Sequence, residues 1–285
     1  MYHKLFIDNY DNVKDKFKDY NLRSEVHYIK HLKFRRLFIM SNTIDKIKNH
    51  RSIRQYLDKE VSNELIDEIL KSAQAMPNSI NGQQTSVIVV RDKKKREKLS
   101  ELVGNQPYVA KAPVFLVFVM DFYRTHLAGE KTGMKQVIHE DIEGMLAGSV
   151  DVGIALGASV VAAESLGLGT VPIGGIRKNP EEVIEILGLP KYTFPMVGLV
   201  VGYPADESHK KPRVPFESFK HDEVYDIKAV EDSINVYDEQ MDKYLKEIGR
   251  VEQETNWSTV TSRVYQSVYY PKVKDAINKQ GLKSK

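Results

Sequence analysis

Over residues 138–168 the chain carries a helical pattern built on small side chains: Gly144, Ala147, Gly148, Gly153, Ala155, Gly157, Ala158, Ala162 and Ala163. Small residues let neighbouring backbones approach closely, so the stretch suits a central helix with neighbours on several sides, or a contact between subunits. Asp141, Glu143, Asp151 and Glu164 interrupt it often enough to argue against a membrane span, which needs roughly 20 consecutive apolar residues. Whatever fold the chain adopts has to supply surfaces that cover such a helix.

The flanking sequence supplies them. Residues 86–90 (SVIVV) and 113–120 (PVFLVFVM) are apolar runs without alternation, which predicts strands buried on both faces. Residues 170–173 and 196–202 (MVGLVVG) add two further strands. Ser62 is placed to cap a helix whose Leu65, Ile66, Ile69, Leu70 and Ala73 form one stripe. Asn179-Pro180-Glu181-Glu182 opens another helix with a cap, a first-turn proline and acids at the positive dipole end, and Gly188 with Pro190 closes it. Helices are expected near residues 231–247 and 258–280. The pattern predicts a mixed α+β fold in a single domain, residues 40–285, with a C-terminal helical arm.

Composition narrows the chemistry. With 41% hydrophobic and 28% charged residues and a mean hydropathy of -0.41, the chain reads as a globular protein. It has no cysteine, which excludes thiolate nucleophiles, Cys-ligated zinc, iron–sulfur clusters and disulfides, so redox chemistry would require a borrowed cofactor. Net charge is uneven: residues 1–39 hold nine Lys/Arg against five Asp/Glu, while the remainder holds 33 against 34. A basic balance confined to that segment gives the body no signature of nucleic-acid binding, and it is too mixed for a polybasic membrane arm. The apolar run Leu37-Phe38-Ile39 there is too short for a signal-peptide core. Residues 1–39 are expected to be either an upstream translated stretch or a poorly ordered arm, with Met40 a candidate start, and the protein is expected to be cytoplasmic, with no nucleic-acid or membrane partner.

Several short motifs could carry chemistry. His50-Arg51-Ser52-Ile53-Arg54 concentrates guanidinium, imidazole and hydroxyl donors of the kind that grip phosphate oxygens. Lys211-Pro212-Arg213 presents two cations on a backbone stiffened by proline. Ile173-Gly174-Gly175-Ile176-Arg177 follows a strand and precedes a helix, where paired glycines permit close backbone approach to a ligand. The loop Asn78-Ser79-Ile80-Asn81-Gly82-Gln83-Gln84, and Gln106 before Pro107, offer amides suited to reading the polar edge of a heterocycle. Taken singly, each is equally a solvated surface feature or an ordinary turn. No G-x-G-x-x-G, P-loop, G-x-S-x-G or His-Glu-x-x-His pattern occurs, so neither a metal nor a catalytic side chain is expected. Jointly the motifs describe a site for a phosphorylated, planar cofactor with a polar edge.

Their order and flanking text resemble the nitroreductase family, in particular its branch of NADPH-dependent group A nitroreductases and NADPH flavin reductases. The resemblance rests on residues 50–54, Gly-Asn-Gln-Pro-Tyr at 104–108, Ala-Glu-Ser-Leu-Gly-Leu-Gly at 163–169, residues 173–177, Gly-Tyr-Pro-Ala at 202–205 and Lys-Pro-Arg-Val-Pro at 211–215. It implies a three-layer α+β sandwich with a central helix, assembled as an intertwined homodimer with FMN at the interface. It also implies FMN-dependent reduction of nitroaromatics, quinones, azo compounds or free flavin by NADPH or NADH in a ping-pong sequence. Carried over by position, the FMN contacts would be His50, Arg51, Ser52, Ile53, Arg54, Asn78, Gln83, Gln106, Pro172, Ile173, Gly174, Gly175, Lys211, Pro212 and Arg213, with Gly174 and Gly175 beside flavin N5. The sequence departs from the family pattern at Asn78, where serine is common, at Pro172, where an aromatic or aliphatic residue is common, and at residues 249–254, where a basic run is thinned. The last departure leaves NADPH against NADH open, and together with Pro172 it admits a second reading, an FMN storage or sensor module with little turnover.

Overall fold

The computed structural model describes residues 43–250 and 256–283. Residues 43–48 are helical and belong to a unit separate from the one that begins at Asn49. The extension expected at 1–39 lies outside the described residues. From Asn49 onward, strands β1 (Thr85–Val90), β2 (Val114–Asp121), β3 (Gly169–Ile173) and β4 (Thr193–Gly202) form an antiparallel sheet in the order β1-β2-β4-β3. The helices are α1 (Asn63–Gln74), α2 (Lys93–Leu102), α3 (Pro107–Lys111), α4 (Tyr123–Thr132), α5 (Ile142–Ser165), α6 (Pro180–Leu187), α7 (Ile227–Glu247), α8 (Trp257–Tyr265) and α9 (Val273–Lys279).

Strand β2 explains the layering. Its apolar run points alternately to the two faces of the sheet, and both faces are covered. Val114, Leu116, Phe118 and Met120 enter one core with Ile66 and Ile69 of α1, Val152, Ala155 and Ala163 of α5, and Ala276 of α9. Phe115, Val117 and Val119 enter a second core with Leu99 of α2, Val109 of α3 and Val183 of α6. Each large side chain so buried contributes about 1.5–3 kcal/mol. The result is the expected three-layer α+β sandwich, with α5 as its central helix.

Several expectations need correction. The run at 86–90 is not buried on both faces: among the described residues β1 is an edge strand paired with β2 alone, and Val89 is exposed. The C-terminal pattern at 258–280 is two helices, α8 and α9, separated by residues 266–272 around Pro271, whose ring cannot continue a helix. Ser62 does cap α1, accepting from the Leu65 amide. Asn179 does not cap α6; its side-chain amide donates to the Leu102 carbonyl at 2.8 Å, tying α6 to α2. By length and composition alone α5 could cross a membrane, with 24 residues and an 18-residue stretch of mean hydropathy 1.8. In the fold it packs on α1 and the sheet instead.

Candidate active site

The segment around residues 50–57 is laid along the sheet's β3 edge. Ser52 forms a parallel bridge with Thr170, the Ile53 amide donates to the Thr170 carbonyl at 2.9 Å, and Tyr56 bridges Pro204. Ile53 is buried, and a Cβ on Gly169 would lie 2.7 Å from its Cγ1, so only glycine at 169 lets the segment dock. The Tyr56 hydroxyl donates to the Ile53 carbonyl at 2.6 Å, and burial pushes its pKa well up, which keeps that phenol a neutral donor. With Ile53 pinned inward, His50, Arg51, Ser52 and Arg54 line a cleft of about 830 Å³.

Lys211 and Arg213 line the same cleft, with Asp206, Glu207, Tyr244 and Arg250. Arg213 bends back to donate to the Lys211 carbonyl at 2.9 Å. The Pro212 carbonyl accepts from the hydroxyl of Tyr237 at 3.2 Å; Tyr237 belongs to α7 and is buried edge-on against Trp257 of α8. The C-terminal arm thus props the loop from behind. Arg51 Nη1 lies 3.7 Å from the exposed Glu207 carboxylate, while Arg51 Nε is buried and has no hydrogen-bond partner among the described residues.

The other candidates fall elsewhere. Gly175 packs where a Cβ would stand 2.3 Å from the Val103 carbonyl oxygen and 3.0 Å from Gln106 Nε2, so Gln106 and the paired glycines are neighbours. Both ends of the Gln106 amide are engaged: Nε2 donates to Val103 and Oε1 accepts from Tyr108. Ile173 is buried in the second core and Pro172 is exposed on β3, so a ligand would meet Ile173 through its main chain. A Cβ on Gly174 would find Arg177 Nη2 at 3.6 Å and Tyr270 Oη at 4.0 Å. Asn78 and Gln83 line a different cleft, also about 830 Å³, together with Arg124 and Asp151. Asp151 is buried on α5 and accepts from the Ser79 amide at 3.0 Å, holding this loop, in which Ile80, Asn81 and Gln83 all adopt positive φ.

The sequence matches the nitroreductase family over residues 47–203 and the C-terminal domain of that family over residues 211–285. The chain belongs to the nitroreductase family. Among its curated relatives, an FMN reductase [NAD(P)H] of Bacillus subtilis strain 168 is 48% identical over 246 residues, covering 86% of this chain and 99% of the relative. An oxygen-insensitive NADPH nitroreductase of Salmonella typhimurium is 37% identical over 245 residues, covering 85% and 98%. Among solved structures, B. megaterium NfrA2 superposes with a TM-score of 0.83 at 48% identity, covering 85% of this chain and 98% of that one. The NADPH:FMN oxidoreductase from Vibrio harveyi complexed with NAD+ gives 0.77 at 32% identity, covering 86% and 100%. Two residues beside this cleft were not among the expected site residues: Tyr237, and Glu164, which belongs to the 163–169 motif and lies 2.5 Å from His50 Nδ1. The signal for Glu164 was an acid breaking an otherwise apolar helix; for Tyr237 there was none.

Proposed function

We propose that the basic cleft is the phosphate site of an FMN-dependent NAD(P)H oxidoreductase that works as a cytoplasmic homodimer. The observation that carries this reading is Arg51. A buried donor without an acceptor costs about 1–3 kcal/mol, and a phosphate oxygen supplies both the acceptor and the opposite charge. The donor set fits the group: Arg51, Arg54, Lys211 and Arg213 converge with His50 and Ser52 on one cleft. Ile53 and Pro212 contribute through the backbone they fix, and the main chain of residues 172–175 offers close approach to a planar ring. Gln106, locked at both ends of its amide, keeps Gly175 in place.

The chemistry that bound FMN supplies is two-electron transfer from NAD(P)H to a second acceptor. The protein's residues bind and orient. The cations also stabilise negative charge that develops nearby, since fixed positive groups in a partly desolvated site need no reorganisation. The acceptors are small planar oxidants: nitroaromatics, quinones, azo compounds or free flavin.

The homodimer is supported by α5. Ile142, Leu146 and Val150 are 48%, 56% and 60% exposed along one stripe, and a Cβ on Gly153 or Gly157 would meet nothing within 4 Å. Those glycines serve no close approach to the described residues of one chain, and a second copy lying on the stripe would give them one. It would also bring Asn78, which borders that face, and Gln83, which lines the adjoining cleft with Asn78, toward a ring held by its neighbour.

Purified protein is expected to be yellow and to bleach with NADPH under anaerobic conditions. A colourless preparation that takes up no FMN on titration overturns the proposal. Sustained NADPH oxidation with a quinone or nitrofuran is expected; a single stoichiometric reduction would mark an FMN storage or sensor module instead. Comparing turnover across quinones, nitroaromatics and free FMN assigns the acceptor.

A further inference from the structure

We infer that Glu164 is a positioning residue for the anion cleft and acts through His50; this rests on the reading of that cleft as a phosphate site. Glu164 lies in the last turn of α5, which holds no basic residue. A helix C-terminus carries partial negative potential, so a carboxylate there is set against the dipole. Its side chain is also only 16% exposed. An acid that is both mostly buried and at the wrong helix end is retained only where it has partners. His50 Nδ1 lies 2.5 Å from Glu164 Oε1, and the hydroxyl of buried Thr170 donates to the same oxygen at 3.4 Å.

His50 is in turn a wall of the cleft. With an Nδ1–H given to Glu164, the ring has Nε2 left for the cleft, and its rotation is fixed. Thr170 also accepts the Ile53 amide through its carbonyl, so one residue of β3 sets both the backbone of the grip and the acid that aims its imidazole. The pair therefore delivers a phosphate contact from a position 114 residues away in the chain.

The test is a double-mutant cycle on flavin affinity, read by quenching of flavin fluorescence as apoprotein is added. Glu164→Ala and His50→Ala are each expected to weaken FMN binding about tenfold, the loss of one charge-assisted contact. The double variant is expected to be no weaker than either single one, because the two act as a unit. Glu164→Gln, whose carbonyl still accepts from Nδ1–H, is expected to recover most of the affinity. Riboflavin, which lacks the phosphate, is expected to bind wild type and Glu164→Ala alike. Thermal unfolding of each apoprotein separates lost folding from lost aim. Additive losses in the double variant, or equal losses for FMN and riboflavin, overturn the inference while leaving the cleft's assignment intact. Wild-type protein that binds FMN no better than riboflavin overturns the assignment itself.

Discussion

At the scale of residues, the proposed phosphate grip is two short motifs held by side chains that neither motif contains. Arg213→Ala removes one charge-assisted contact and is expected to weaken FMN binding by about ten- to a hundredfold, and Lys211→Ala is expected to weaken it too. Lys210→Ala should leave affinity unchanged: Lys210 is exposed and, among the described residues, donates to Asn49 at 3.1 Å. Equal dissociation constants for the Lys210 and Arg213 variants would reduce the grip to a charged loop. Tyr237→Phe keeps the ring against Trp257 but deletes the donor to Pro212, so about a fivefold weaker FMN affinity is expected, equivalent to about 1 kcal/mol. Burial pushes the Tyr237 phenol above its usual pKa, so this donor persists in mildly alkaline buffer. Fluorescence titration at fixed salt measures each variant. The cationic lining of the cleft was legible in the sequence because its cations are closely spaced and flanked by Pro212 or Ser52. Tyr237 and Glu164 were not, because they reach the motifs across 25 and 114 residues, and only the fold brings them there.

At the scale of elements, legibility followed burial. β2 and β4 were readable because both faces of each strand are covered, and apolar runs report that directly. β1 used the same residue types at an edge, where composition alone cannot distinguish one covered face from two. α2 was missed because only Arg96, Leu99 and Ser100 are buried on a helix that, apart from Leu102, is otherwise made of Lys and Glu. The turn before α5 is expected to carry a pH dependence. His139 is buried there, stacked edge-on against Tyr192 at 4.5 Å with its Nδ1 3.2 Å from the Gln136 amide, and its carbonyl accepts the Lys283 amide. Burial lowers its pKa; Glu140 opposes that shift, while His126, Lys283 and Lys135 reinforce it. A folded-state pKa below the unfolded value, about 6.5, means the unfolded chain takes up the proton first. This group's contribution is therefore full above that value and is lost as pH falls below it, until the folded-state value is reached. Melting temperature is expected to drop on going from neutral to mildly acidic buffer, and His139→Gln should flatten that slope. An unchanged slope in the variant would place the acid sensitivity elsewhere.

At the scale of the whole molecule, the open question for the sandwich is what covers the outer stripe of α5. Apolar side chains at 142, 146 and 150, followed by glycines at 153 and 157, repeat at helical spacing on one face, which is the pattern of a helix meeting another helix at short distance. Removal of residues 1–39 is expected to leave FMN content and turnover unchanged, since the family match begins at residue 47; loss of either would make that segment part of the working unit. The stripe itself is tested with Leu146→Glu and Val150→Glu. Both positions are more than half exposed in the single chain, so a charge there costs its fold little. In a dimer the same charge would be buried without a partner, at a cost of several kcal/mol on each side of a two-fold contact. Sedimentation of the wild type is therefore expected to give twice 32.6 kDa and that of the variants a mass shifted toward 32.6 kDa, with far-ultraviolet circular dichroism unchanged. If the second copy supplies part of the ring's surroundings, FMN content should fall in step with the mass. A wild-type protein that sediments as a monomer while holding FMN in full would remove the dimer, and with it the reason for Gly153 and Gly157.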